Sequence, residues 1–235
     1  MRQNKDHTIS IIIPVLNEEK ILGSVLNNLK KTSTSGKVKE VICVDGGSTD
    51  STVTVAKNYG ATVLGSRRGR AKQLNFGAKH ATGDILYFLH ADTLTPKNFD
   101  LQILKAVQDG FETGCFRMEF DTKNPILRFF AYLSRLNYTL CRGGDQSLFI
   151  KRELFEKTNG FDENYLIYED TEFITRLYQE TAFKILPDTV LTSARKYREK
   201  GWLRVQFHFA MIHLKNYMGA KPEELYQYYQ RNILA

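Results

Sequence analysis

Cysteine is scarce in this chain: Cys43, Cys115 and Cys141 are the three in 235 residues. They are odd in number and lack CxxC spacing, which excludes a disulfide framework or a zinc knuckle as the organising feature. Long hydrophobic runs are missing too. No stretch of ~18 apolar residues is free of charge, so no membrane-spanning helix is expected. The opening segment, Met1 to His7, is polar, which predicts no secretory leader. With the unpaired cysteines this points to the cytoplasm, with the inner face of the cell membrane as a further option. Internal repeats, low-complexity tracts and a recognisable linker are also lacking. One continuous domain over 1–200, with a helical appendage over 201–235, is the expected organisation.

Acidic residues are unevenly absent. None lies between Gly65 and Lys79, where Arg67, Arg68, Arg70, Lys72 and Lys79 fall, and from Ser193 onward eight basic residues face three acidic ones. The net charge of +7 and the 12% aromatic content suit a phosphate-bearing ligand or an anionic membrane surface. They also keep a nucleic-acid-binding protein in contention. The basic residues, however, adjoin acidic clusters, and an aspartate-lined crevice repels a polyanion unless a metal intervenes. Nucleic acid is therefore not among the expected partners.

What is present is a strand and helix alternation. Thr8 to Val15 is a β-branched run that reads as a strand buried on both faces. Asn17 to Lys31 has helical spacing with Asn17 as N-cap. Strands at Lys39 to Val44, Ala61 to Leu64 and Asp84 to Leu89 alternate with helices at Asp50 to Tyr59 and Ala71 to His80. This rhythm predicts an α/β fold with a mostly parallel, doubly wound sheet. Further on, a helix over Asn98 to Asp109 precedes a strand over Phe111 to Phe120. Helical sequence is expected over Pro125 to Tyr138, Tyr168 to Gln179 and Gly201 to Met218, and strands at Gln146 to Ile150 and Phe183 to Leu186.

In parallel α/β sheets, ligands bind beyond the carboxyl ends of the strands. Polar clusters stand at three such ends: Pro14-Val15-Leu16-Asn17-Glu18, Asp45-Gly46-Gly47-Ser48-Thr49-Asp50 and His90-Ala91-Asp92. Asp45 suits either a nucleobase N–H or an Asx-turn of its own. Asp92 is the candidate anchor for a hard divalent cation, or the cap of the next segment. Glu169 and Asp170 open a helix, where acids also simply complement the dipole. Arg70, with Arg67 and Arg68 behind it, offers a guanidinium fork beside a helix N-terminus, a good place for a diphosphate. Asp145 and Gln146 follow Gly143-Gly144, where a turn or a sugar hydroxyl contact fits equally.

Taken together, PVLNEE, VDGGSTDST, FLHADT and YEDTEF, in this order, resemble the family 2 glycosyltransferases of the GT-A fold over roughly residues 8 to 190. RGRAKQLNFGAKHATGD followed by LHADT is similar to a bacterial, non-processive subgroup. The resemblance implies a catalytic domain over 1–200, with a nucleotide-sugar half near 8–95 and an acceptor half near 96–200. It implies donor contacts at Pro14, Asn17, Glu18, Asp45, Arg70 and Ala91, and Mg²⁺ or Mn²⁺ held by Asp92. It further implies Asp170 as the base of an inverting displacement with Glu169 assisting, and acceptor or donor-sugar contacts at Asp145 and Gln146. Gly46 and His90 depart from the family pattern, which has acids there, and this keeps a catalytically impaired nucleotide-sugar binder open. A nucleotidyltransferase is the other enzyme alternative, although its glycine-rich loop would follow the first strand, where Leu16-Asn17-Glu18 stands. The acceptor is expected to be a glycan, a lipid or a small molecule. The 201–218 helix is expected either to pack on the domain or a second subunit, or to touch a membrane.

Overall fold

The computed structural model describes residues 7–234, so the polar segment 1–6 and Ala235 lie outside the described residues. The first strand, β1 (Ile9–Val15), is nearly wholly buried. Its residues alternate between two cores, as a period of two requires. Ile9, Ile11 and Ile13 face one, while Ile12 joins Ile42, Val44 and Leu86 in the other. The chain continues through α1 (Leu22–Thr32), β2 (Val38–Asp45), α2 (Thr52–Asn58), β3 (Thr62–Gly65), α3 (Arg70–His80) and β4 (Ile85–Phe88). These four strands pair in parallel in the order β3-β2-β1-β4. Pro14 is tolerated in the central strand because β4 follows β1 only as far as Ile12, leaving Pro14 paired to Val44 on one side alone. Helix α3 packs so closely on this sheet that a Cβ on Gly77 would come within 2.6 Å of Ile12 and 2.8 Å of Val44.

The second half is mixed. After β5 (Thr93–Leu94), α4 (Phe99–Gln108), β6 (Thr113–Phe120) and α5 (Pro125–Leu133) come two 3-10 turns, Thr139–Cys141 and Gly144–Gln146. Then follow β7 (Leu148–Lys151), α6 (Arg152–Lys157), α7 (Glu169–Glu180) and β8 (Phe183–Thr192). Strand β7 runs antiparallel between β4 and β6, and β6 pairs in parallel with β8. The sheet as a whole reads β3-β2-β1-β4-β7-β6-β8-β5. The expected α/β class holds, and the antiparallel insertion of β7 is what strand rhythm did not disclose. The chain ends in α8 (Arg195–Lys200), α9 (Trp202–Tyr217), α10 (Pro222–Tyr229) and a π turn over Gln230–Leu234. Ile212, Leu225 and Ile233 make a small separate core that leans on Tyr165 and Tyr168. No described helix is long and apolar enough to cross a membrane.

The helix expected over Pro125 to Tyr138 ends at Leu133, and three other expected boundaries move, each for a local reason. The first helix starts at Leu22, not at Asn17, whose φ of 55° is left-handed. Asn17, Glu18 and Glu19 give their N–H groups to Ser48, Thr52 and Asp50, so the chain is tied down before it can wind. The strand expected from Gln146 begins at Leu148, because Ser147 turns left-handed (φ 61°) after the 3-10 turn. The strand expected at Phe183 to Leu186 runs on to Thr192, a register shift opposite Phe116 and Arg117 absorbing Pro187.

Candidate functional site

The β1 and β2 carboxyl ends are stitched together by short polar side chains. Asn17 donates its N–H to the Ser48 hydroxyl (2.9 Å) and accepts the Thr49 N–H on its side-chain oxygen (2.8 Å). The Asp45 carboxylate accepts from the N–H groups of Gly47 and Ser48 (3.1 Å each) and from the Ser48 hydroxyl (2.5 Å). The Asx-turn is therefore formed. Asp45 also lines a cleft of about 780 Å³ together with Ser66, Arg67, Lys72, Asn75 and Glu163. Arg67 is the arginine of the basic loop that reaches this cleft. Beneath it, the buried Gln73 amide donates to the carbonyls of Val15 and Val44. A Cβ on Gly46 would stand 3.1 Å from that amide, so the space a second aspartate would need is taken by Gln73.

Arg70 points elsewhere. Its Nη2 lies 2.8 Å from both ring nitrogens of His90, and its Nε lies 3.5 Å from Glu169. His90 in turn stands 3.3 Å from Asp145 and 3.5 Å from Asp170. Four segments thus deliver two cationic groups and three carboxylates to one point: the start of α3, the end of β4, the Gly144–Gln146 turn and the first turn of α7. Burial and the Arg70 charge oppose protonation of His90, but hydrogen bonds to Asp145 and Asp170 outweigh them and hold its pKa at about 9. Burial likewise opposes ionisation of Asp145, yet the His90 hydrogen bond and charge draw it down to about 2. Asp170 is lowered against its own burial by His90 and Arg70. Glu169 goes the other way: burial, and then the adjacent Asp170 charge, push it up. Of the two helix-opening acids, the Asp170 side chain is 15% exposed and that of Glu169 is 3% exposed. Asp170 is the accessible one. Glu172, on the same turn, is spent on Arg176 (2.6 Å).

Gly144 makes this convergence sterically feasible. A Cβ there would fall on the Asp170 carboxylate and within 2.6 Å of His90 Nε2. Asp92 stands in the turn after β4, half-buried. Among the described residues its carboxylate has no hydrogen bond and no ion pair, though its field reaches Arg70 and Arg195. No group of three His, Cys, Asp or Glu side chains able to hold a metal occurs among the described residues. A cation bound at Asp92 would thus take that one protein carboxylate, completed by ligand oxygens and water, and an oxygen-rich octahedral ion fits such a donor set. Ala91 is buried beside it and Pro14 is half-buried at the end of β1.

Two candidates occupy roles that spacing did not suggest. Gln146 is buried, its amide accepting from Arg142 (2.5 Å) and donating to the Cys141 carbonyl (2.6 Å), so it braces the turn that carries Asp145. Glu18 accepts Arg195 Nη2 on both oxygens (3.0 and 3.1 Å), which brings α8 onto the site. Lys196, next along α8, helps lower the Asp145 pKa, and the Tyr197 pKa is raised by burial with a smaller contribution from Asp145. Arg195, Lys196 and Arg198 are among the eight basic residues counted from Ser193 onward, and the count alone did not place them at the site. The signal was the run of basic residues one short turn after an apolar strand.

The family model described as Glycosyl transferase family 2 matches residues 10–158 of this chain. Over 98 residues the chain is 35% identical to glucosyl-3-phosphoglycerate synthase of Mycolicibacterium smegmatis, a match over 38% of this chain and 32% of that protein. The chain thus spans about a third of the length of the curated relative it matches. Among solved structures, the mannosyltransferase PcManGT from Pyrobaculum calidifontis in complex with GDP-Man and Mn²⁺ is similar with a TM-score of 0.70 and 21% identity, over 97% of this chain and 68% of that one. TarS of S. aureus in complex with UDP-GlcNAc gives 0.66 at 21% identity, over 80% and 59%. These likenesses establish the α/β fold of GT-A type.

Proposed function

The chain belongs to glycosyl transferase family 2, and from that premise we propose that it transfers a sugar from a nucleoside-diphosphate sugar to an acceptor hydroxyl, with inversion, in the manner of a non-processive bacterial subgroup. One observation carries the reading. Acidic residues stand beyond the ends of β1, β2 and β4, Glu18 paired with Arg195, Asp45 in the cleft with Arg67, and Asp92 in the turn after β4, while the first turn of α7 brings Asp170 and Glu169 to His90 and Arg70 at the β4 end. In this reading Asp45 accepts a nucleobase N–H with whatever capacity its turn leaves over, since a carboxylate offers about four lone-pair sites. Pro14, Asn17 and Glu18 shape the nucleoside's seat, Ala91 lets the sugar approach, Arg67 meets the diphosphate from the Asp45 cleft, and Arg70 meets it from the His90 side. Asp92 would hold Mg²⁺ or Mn²⁺, which when bound neutralises charge on the diphosphate.

The acceptor oxygen attacks the anomeric carbon as the bond from that carbon to the diphosphate oxygen breaks. The hydroxyl proton passes to Asp170, which His90 and Arg70 keep ionised and Gly144 leaves room for. Glu169 holds Arg70, and Asp145 is the candidate sugar contact, its side chain being half exposed. The donors present in the PcManGT and TarS structures, GDP-Man and UDP-GlcNAc, support this donor class and leave the nucleotide to experiment. Calorimetric titration of UDP- and GDP-sugars with Mn²⁺, then with chelator, tests it on wild type and Asp92→Ala. The expected outcome is metal-dependent binding of one nucleotide, lost in the variant. A folded protein that binds no sugar nucleotide overturns the reading.

A further inference from the structure

The segment between Asp121 and Asp145 contains four basic residues and no acid, and it carries one of two concentrations of large apolar groups that the fold leaves uncovered, the other lying along α9 from Leu203 to Met218. Asn124 caps α5 by accepting the N–H groups of Ile126 and Leu127, with Pro125 in the first turn. Leu127 and Ala131 turn inward. The opposite side presents Phe129 (60% exposed), Phe130 and Tyr132, and the loop after the helix adds Leu136, Tyr138 (68%) and Leu140 (76%). Monomeric proteins seldom leave such a run of large apolar groups in water without a use for it.

This face is built. Arg142 is 3% exposed, and its guanidinium donates to the carbonyls of Ser134 and Leu136 and to the Gln146 side chain. All of these partners are neutral. A buried arginine is thus committed to holding the loop from Ser134 to Gln146 in one shape, with the apolar groups turned outward. Lys123 and Arg128 are exposed around them, and the Arg135 guanidinium stacks 4.7 Å over the Tyr132 ring. Aromatic rings with basic side chains at their rim are the chemistry of a lipid headgroup layer. A second copy of the chain fits poorly, because pairing this face with itself would set Lys123, Arg128 and Arg135 against the same cations.

We propose that the outer face of α5 and the loop to Leu140 is a docking surface for an anionic phospholipid bilayer. The face differs from the 201–218 helix expected from sequence to make any membrane contact. The proposal stands apart from the transfer reaction, since its test needs no donor. Flotation of the whole chain is compared with vesicles of phosphatidylcholine alone and of phosphatidylcholine with phosphatidylglycerol. Binding is expected to the anionic vesicles and to fall as salt is raised. Arg128→Ala should weaken it about fivefold, as one cation near the surface is worth. Phe129→Ser with Leu140→Ser should abolish it, and Phe207→Ser on α9 should leave it intact. These positions are exposed, so thermal unfolding of the variants should match wild type. No binding to anionic vesicles overturns the proposal. So does binding that survives the α5 variant and falls with Phe207→Ser, or a dimer in solution that the α5 variant makes monomeric.

Discussion

Around Asp45 the carboxylates are satisfied by backbone and hydroxyl groups of their own neighbourhood, whereas around His90 they are balanced by charges brought from four distant segments. Asp45 closes on Gly47 and Ser48, and Asp50 on Thr52. Neutral donors a few residues away do the work, and such turns form as soon as the strand ends. Asp145, Glu169 and Asp170 meet Arg70 and His90 only when β4, β7, α3 and α7 have all docked. The first arrangement stores little that a mutation can release. The second is a charge set centred on the largely buried His90, Glu169 and Asp170, where removing one of these three leaves the others uncompensated at up to about 3–5 kcal/mol, while Arg70 and Asp145 reach partly into solvent. Chemistry that moves a proton belongs in the second kind of place, because only there is the protonation state of each group fixed by its neighbours.

The sharpest way to break the contrast is Asp170→Asn, which keeps the shape against Gly144 and removes the basic oxygen. We expect transfer to drop by roughly 10²–10⁴-fold in kcat with donor binding by calorimetry unchanged. An equal loss in both would reduce Asp170 to a structural member of the cluster. Asp92→Ala should follow, at about 100-fold in kcat/KM, with the dependence on added Mn²⁺ flattened. Gly144→Ala reaches the same cluster through packing alone. Its Cβ would collide with Asp170 and His90, so about 1–3 kcal/mol of stability should be lost in denaturant unfolding. Gly143→Ala, where a Cβ meets nothing within 4 Å, is the matched control.

The cluster also predicts a pH signature. The His90 pKa is raised from its ordinary 6.5 to about 9 in the folded protein. Its contribution to stability is therefore fully present below about pH 6.5 and is lost as the pH rises through about 9. Melting temperature measured without metal should decline between pH 7 and 10 more steeply in wild type than in His90→Gln. Parallel slopes would mean that the imidazole is neutral throughout. The Asp145 contribution, with a pKa near 2, is lost only as the pH falls through that value, outside the same window.

The same contrast governs what could be read in the sequence. Asp45-Gly46-Gly47-Ser48 announces its turn because donor and acceptor are three residues apart. The runs TISIIIPV and DILYFL announce central strands because they are apolar without a break. The row of strand-end carboxylates followed from topology. The ties of Glu18 to Arg195 and of Arg70 to His90 span 177 and 20 residues, and no local pattern encodes them. Gln146 is a different case: its partner Arg142 is only four residues away, but nothing in the sequence says that this arginine is buried and turned onto the Gln146 amide. Asn17 looked like a helix cap because the helical spacing after it is real. The cap reading failed because Ser48 and Thr49 compete for its polar groups.

The smallest expected effect asks whether the Asp45 end is only a turn. Asp45 accepts on both oxygens, from Gly47 and Ser48. Asp45→Asn exchanges one of those oxygens for an amide, and Ser48→Ala keeps the carboxylate but removes the hydroxyl that donates to it and accepts the Asn17 N–H. If the carboxylate serves the turn alone, both variants should cost about 1 kcal/mol of stability and leave donor KM untouched. If it also accepts a nucleobase N–H, Asp45→Asn alone should raise donor KM about tenfold, the worth of one charge-assisted hydrogen bond. We expect the second result, because the turn uses hydrogen bonds to neutral groups while the carboxylate still opens onto the cleft beside Arg67. Steady-state kinetics on the two variants with the cognate sugar nucleotide separates the outcomes, and an unchanged KM in both would leave the cleft without its base-reading residue.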